Sequence, residues 1–96
     1  MKFEWDPEKD RINLRKHGVR FEDAIRVFDT TELVLDLFDE QHSDFEERLI
    51  SIGPITGGLV LVVWTERVED VVRVISARWA TPHEQSLYRR RMEHRQ

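Results

Sequence analysis

EERLISIGPITGGLVLVVWTER, residues 46–67, decides the fold. Two runs rich in Ile, Leu and Val flank Gly57-Gly58, and β-prone runs joined through such a turn make a hairpin. Pro54 cannot donate to a ladder and belongs at a strand end or edge. Residues 66–70 turn again, and VVRVISARW, residues 71–79, is a further strand. Connections this short make the three strands an antiparallel meander. Strict alternation puts Val72, Val74, Ser76 and Arg78 on one face of the last strand. Val71, Arg73, Ile75, Ala77 and Trp79 then share the other. In the middle strand Leu59, Leu61, Val63, Thr65 and Arg67 share a face. In the first, Glu46, Arg48, Ile50 and Ile52 oppose Glu47, Leu49 and Ser51. Each strand therefore runs from apolar residues into polar or charged ones.

Working outward, residues 2–5 (KFEW) alternate and read as a short first strand. Asp6-Pro7 is an N-cap followed by a proline at the first helical position. That helix runs to about His17 and stops at Gly18. Its apolar content is thin, so Ile12 and Trp5 are expected to hold it to the surface. Phe21, Ala24, Ile25 and Phe28 form one helical stripe that ends at Thr30-Thr31. Residues 33–38 alternate as a strand, and 39–45 are a polar loop. Thr81-Pro82-His83-Glu84 is a capping box with proline at the first position, opening a closing helix with Leu87, Tyr88 and Met92 on its apolar side. The expected class is α+β: two N-terminal helices, an antiparallel sheet of about four strands with its meander over 46–79, and a C-terminal helix. All of it fits a single domain spanning residues 1–96.

Composition sets limits on function. The chain has 96 residues, 35% of them charged, and carries a net charge of −4. It has no cysteine, which excludes disulfides and Cys-based metal sites. No apolar run reaches the roughly 20 residues of a membrane span. The first ten residues lack an apolar signal region. A cytoplasmic protein without membrane contact is expected. Charge is unevenly spread: residues 28–47 hold eight acids and no Lys or Arg, whereas residues 11–20 hold four bases and no acid. Five arginines follow from Arg78 onward. The basic ends suggest an anion site, and the acidic middle a face for a basic protein; solvated surface explains either as simply.

The chemistry-bearing groups are cations, imidazole and carboxylates at strand and helix ends. The four histidines are scattered, so neither a metal site nor a cofactor is expected. Metal-free RNA cleavage needs a base for the 2′-hydroxyl, cations for the phosphorane, and an acid or electrostatic help for the leaving oxygen. Arginine suits the phosphate because its fork binds two oxygens at once. Lys16 and His17 end a helix, where a cation complements the macrodipole.

FEWDPEKDRINLRKHGVRFEDA, EERLISIG, LVLVVWTER and RVISARWATPHEQSLY together resemble the BrnT family, toxins of bacterial type II toxin–antitoxin pairs. The resemblance runs from Phe3 to Tyr88. It implies a RelE-like fold, an endoribonuclease that slows growth, and neutralisation by a BrnA-like antitoxin, with promoter DNA bound only through the complex. The family's polar positions fall on Lys16, His17, Glu47, Arg48, Thr65, Arg67, Ser76, Arg78 and Tyr88. On this reading Glu47 or His17 is the base, while Arg48, Arg67 and Arg78 hold phosphate and stabilise the transition state. Lys16, Thr65, Ser76 and Tyr88 contact RNA or orient the arginines. The chain departs from the pattern at Arg20, where a small N-capping serine is usual, at Gln85 and at Trp64. Two further readings compete. One is a weakly active or inactive member that serves as an antitoxin-binding module through residues 28–47. The other is a DNA-binding protein, disfavoured by the net charge and the missing helix-turn-helix signal.

Overall fold

The computed structural model describes residues 1–39 and 47–94. Apart from Asp39, the polar loop expected at 39–45 lies outside the described residues. The elements are β1 (Lys2–Glu4), α1 (Pro7–His17), α2 (Phe21–Ala24), two 3-10 turns (Ile25–Asp29 and Thr31–Leu33), β2 (Leu35–Phe38), β3 (Leu49–Ile55), β4 (Gly58–Glu66), β5 (Val71–Trp79) and α3 (Pro82–Glu93). The strands form one sheet in the order β1-β5-β4-β3-β2. The meander is antiparallel as its short connections require, and Pro54 lies beyond the last β2 pairing, Leu35 with Ile52. β1 is the addition. It pairs parallel to β5, which makes the sheet mixed and five-stranded rather than antiparallel and four-stranded. A parallel partner almost seventy residues away leaves no signature in a local pattern.

Helices cover both faces. Phe21, Ala24 and Val27 pack with Val60, Val62, Val72, Val74 and Ala77 beneath α1 and α2. On the other face Leu35, Ile52, Leu61 and Ala80 pack with Leu87, Tyr88 and Met92 of α3. Among the described residues, no helix is long and apolar enough to cross a membrane.

α1 is capped as its sequence requires. The Asp6 side chain accepts from Glu8 N–H, and Gly18 closes the helix at φ 71°. Its anchor is unexpected, however. Ile12 is 39% exposed and does not hold the helix down. Asn13 does: it is buried, its Nδ2 donates to the carbonyls of Ala77 (2.7 Å) and Val19 (3.0 Å), and its Oδ1 accepts from Ala77 N–H (3.1 Å). One amide thus stands in for the neighbouring strand that β1, ending at Glu4, does not supply. The second helix also differs from its expectation, passing into 3-10 geometry at Ile25. Arg20 contributes no side-chain cap, and Asp10 of α1 accepts from Phe21 N–H instead (2.8 Å).

Candidate active site

The register of β5 decides where the polar groups point. Trp64 pairs with Val74, but Val63 pairs with Ser76, so Ile75 is an extra residue. This β-bulge reverses the alternation that strict period two predicts. Ser76 and Arg78 do share a face, but not with Val72 and Val74. They lie beside Val63 and Leu61 on the α3 side, while Val72, Val74 and Ala77 pack under α1. The bulge also returns Arg73 to the face of Ser76 and Arg78, since Arg73 pairs with Thr65. Arg73 escapes a period-two reading for that reason alone.

Arg78 is two-thirds buried and chelated. Its Nη1 and Nη2 donate to Oε1 and Oε2 of Glu84 at 2.7 and 2.8 Å. Glu84 Oε1 also accepts from Thr81 N–H, completing the capping box that starts α3. Hydrogen bonds from Arg78 are the main cause holding the Glu84 carboxyl down to about 2; burial opposes them and the Thr81 amide assists. The same bonds raise the Arg78 guanidinium against the opposing effect of burial.

At the other end of the sheet, Glu47, Leu49, Thr65, Glu66, Arg67 and Val68 line a depression of about 530 Å³. Thr65 is buried, and its hydroxyl donates to the Glu47 carbonyl (2.7 Å), tying the start of β3 to the end of β4. Glu47 and Arg67 are exposed at this rim. Arg48 precedes Leu49, just beyond the Phe38–Leu49 pair of β2 and β3, and Asp39 N–H donates to its carbonyl (2.8 Å). The four rungs from Thr65 to Leu61 span about 13 Å at 3.3 Å per residue. One face thus carries Thr65, Arg73, Ser76 and Arg78 within the reach of a short oligonucleotide, with Glu47 and Arg67 at its lower rim.

Three expected site residues lie elsewhere. Lys16 and His17 end α1 on the opposite side of the sheet, next to Gly18 and the far end of β5. They do not converge with Glu47 and Arg67. Tyr88 packs in the α3 core, and its hydroxyl donates to the Leu33 carbonyl (2.6 Å), a bond that fastens α3 to the approach of β2. Trp64, a departure from the family pattern, is a core residue: its Nε1 donates to Ser51 Oγ (2.8 Å), which donates to Asp36 Oδ1 (2.6 Å).

A mixed five-stranded sheet with helices on both faces defines a small α+β protein. The family model described as ribonuclease toxin, BrnT, of type II toxin–antitoxin system matches residues 5–84, and the chain belongs to that family. Among solved structures, the Brucella abortus ribonuclease toxin BrnT is similar, at 29% identity and a TM-score of 0.63 over 84% of this chain and 97% of that one. No curated protein matches the sequence.

Proposed function

We propose that this chain is an endoribonuclease toxin that cleaves RNA without a metal and is neutralised by a BrnA-like antitoxin. The observation that carries this reading is the shared face of Arg73, Ser76 and Arg78, created by the Ile75 bulge on a family member's central strand. RNA lies along that face beside α3. Glu47 takes the 2′-hydroxyl proton, because it is exposed and opens into the same depression as Thr65 and Arg67. Arg67 and Arg48 hold the reacting phosphate and stabilise the charge that builds on it and on the 5′-oxygen. That oxygen departs as the 2′-oxygen bonds to phosphorus, and takes its proton from water. Arg78 and Ser76 hold the next phosphate along. Thr65 keeps Glu47 in place through its carbonyl. Lys16 and His17 serve RNA beyond the reacting bond, and Tyr88 acts through the packing of α3. The test is cleavage of cellular RNA by the purified protein in excess EDTA, with ends mapped by sequencing. Fragments that carry 2′,3′-cyclic phosphate ends are expected; intact RNA, or cleavage abolished by EDTA, defeats the proposal.

A second surface supports the antitoxin. Leu33 (46% exposed) precedes β2 and Phe38 (48% exposed) ends it, with Glu32, Asp36 and Asp39 around them. Of the remaining acids expected in this face, Glu40, Asp44 and Glu46 lie outside the described residues. An acidic surface with apolar anchors at a sheet edge fits a basic amphipathic segment. A member without turnover would use the same surface, as a binding module whose complex holds promoter DNA through the antitoxin. Normal growth and intact RNA when the protein is induced alone would select that alternative.

A further inference from the structure

A cavity of about 670 Å³ opens on the α1 side of the sheet, at the Trp79 end. Its polar lining includes Asp23, Arg26, Asp29 and Thr30, and Ile55 and Trp79 are among the remainder. Trp79 is 37% exposed, a large aromatic surface for a residue that ends a central strand. The hairpin turn supports it closely. A Cβ on Gly57 would stand 3.1 Å from the indole Cη2, and one on Gly58 3.8 Å from Cε3. Both glycines hold positive φ, 105° and 147°, so they serve the turn and the indole together. Arg26 and Asp29 form only a long contact of 3.7 Å and are both largely exposed, which leaves the carboxylate accessible to other donors.

We propose that this cavity binds a guanine base of the RNA, stacked on Trp79, with Asp23 or Asp29 accepting from its N1–H and N2 amino group. The inference rests on the ribonuclease reading for its biological ligand. Single-stranded RNA is recognised through bases stacked on aromatic rings and hydrogen-bonded along their Watson–Crick edges. A carboxylate only accepts, and guanine is the base whose Watson–Crick edge presents two adjacent donors. Adenine, cytosine and uracil each present one there. The volume falls within the roughly 300–1,000 Å³ of small-ligand pockets. Lys16, two residues before Gly18 at the cavity wall, places positive charge where the backbone of that nucleotide would run.

The test is titration of the ¹⁵N-labelled protein with 5′-GMP and, separately, 5′-AMP and 5′-UMP, following the indole N–H resonance assigned through Trp79→Phe. GMP is expected to shift that resonance and bind several-fold tighter than the other two. Trp79→Ala should weaken GMP by about tenfold, the size of a lost base–aromatic stack. Asp23→Asn with Asp29→Asn should erase the preference for GMP over AMP in a protein whose remaining spectrum is unchanged. Equal binding of all three nucleotides, or GMP binding unaffected by Trp79→Ala, overturns the proposal. RNA cleavage by a protein that ignores GMP defeats the cavity and leaves the ribonuclease reading standing. GMP binding by a protein that cleaves nothing supports the cavity and defeats the enzyme.

Discussion

At Arg78 a phosphate meets a carboxylate already in place. Both guanidinium nitrogens that would grip it donate to Glu84, so binding RNA there exchanges one bidentate partner for another. Glu84→Gln weakens the occupant, and RNA affinity at low salt is expected to rise a few-fold, measured by filter binding. The same substitution has a cost at neutral pH that disappears in acid. The Glu84 carboxyl lies below its ordinary 4.5, at about 2. A folded-state value below the unfolded one stabilises the protein fully above pH 4.5, and the contribution is lost as pH falls through about 2. Allowing for the 37% exposure of Arg78, about 1–2 kcal/mol is at stake. Urea midpoints from pH 6 to 2 should fall less steeply for Glu84→Gln than for the parent. Arg78→Ala should abolish growth arrest while circular dichroism stays native. Asn13 carries a larger structural share. Asn13→Leu leaves the Ala77 amide and carbonyl buried without partners and should destabilise by about 2–4 kcal/mol in urea melts.

The bulge is the element on which the site depends. With a residue inserted between Val63 and Trp64 to pair with Ile75, β5 would return to plain alternation, and Ser76 and Arg78 would rotate under α1 or the strand would slip. Toxicity should vanish, and a cooperative unfolding transition should weaken or disappear, read by calorimetry. Gly53 makes a comparable demand from β3. A Cβ there would stand 2.6 Å from Val27 Cγ2 and 3.3 Å from the Leu33 carbonyl, so Gly53→Ala should cost about 1–3 kcal/mol in thermal melts. The hairpin, the Asp6-Pro7 and Thr81-Pro82 helix starts and the Gly18 stop were all legible in the sequence, because each rests on contacts within a few residues. The bulge was not, because Ile75 in VRVISAR has the same β preference paired or unpaired. Asn13 reads as an ordinary polar helix residue until Ala77 is beside it. The site divides along the same line. Ser76, Arg78, Thr65 and Glu47 stand out as polar groups at strand ends, whereas the separation of His17 from Glu47 is set by which face of the sheet α1 covers.

Across the molecule, charge is sorted by surface. Acids from Glu32 to Asp39 surround β2 at one edge, while Arg73 and Arg78 lie on β5 near the other. The proposed antitoxin and RNA would then approach different parts of the sheet. Glu32→Lys with Asp39→Lys should weaken antitoxin association and flatten its salt dependence in surface-binding kinetics, with cleavage of RNA unchanged. The order β1-β5-β4-β3-β2 has a further consequence, in time rather than in space. Lys2, Phe3 and Glu4 are made before the other described strands, yet their partners Val71, Val72 and Arg73 belong to the last of them. The Asn13 clamp waits equally long for Ala77. At about 5–20 residues per second, the ribosome spends several seconds on a chain whose sheet cannot close. Harm to the cell is withheld until β5 has been made, and a chain released short of β5 is no toxin at all.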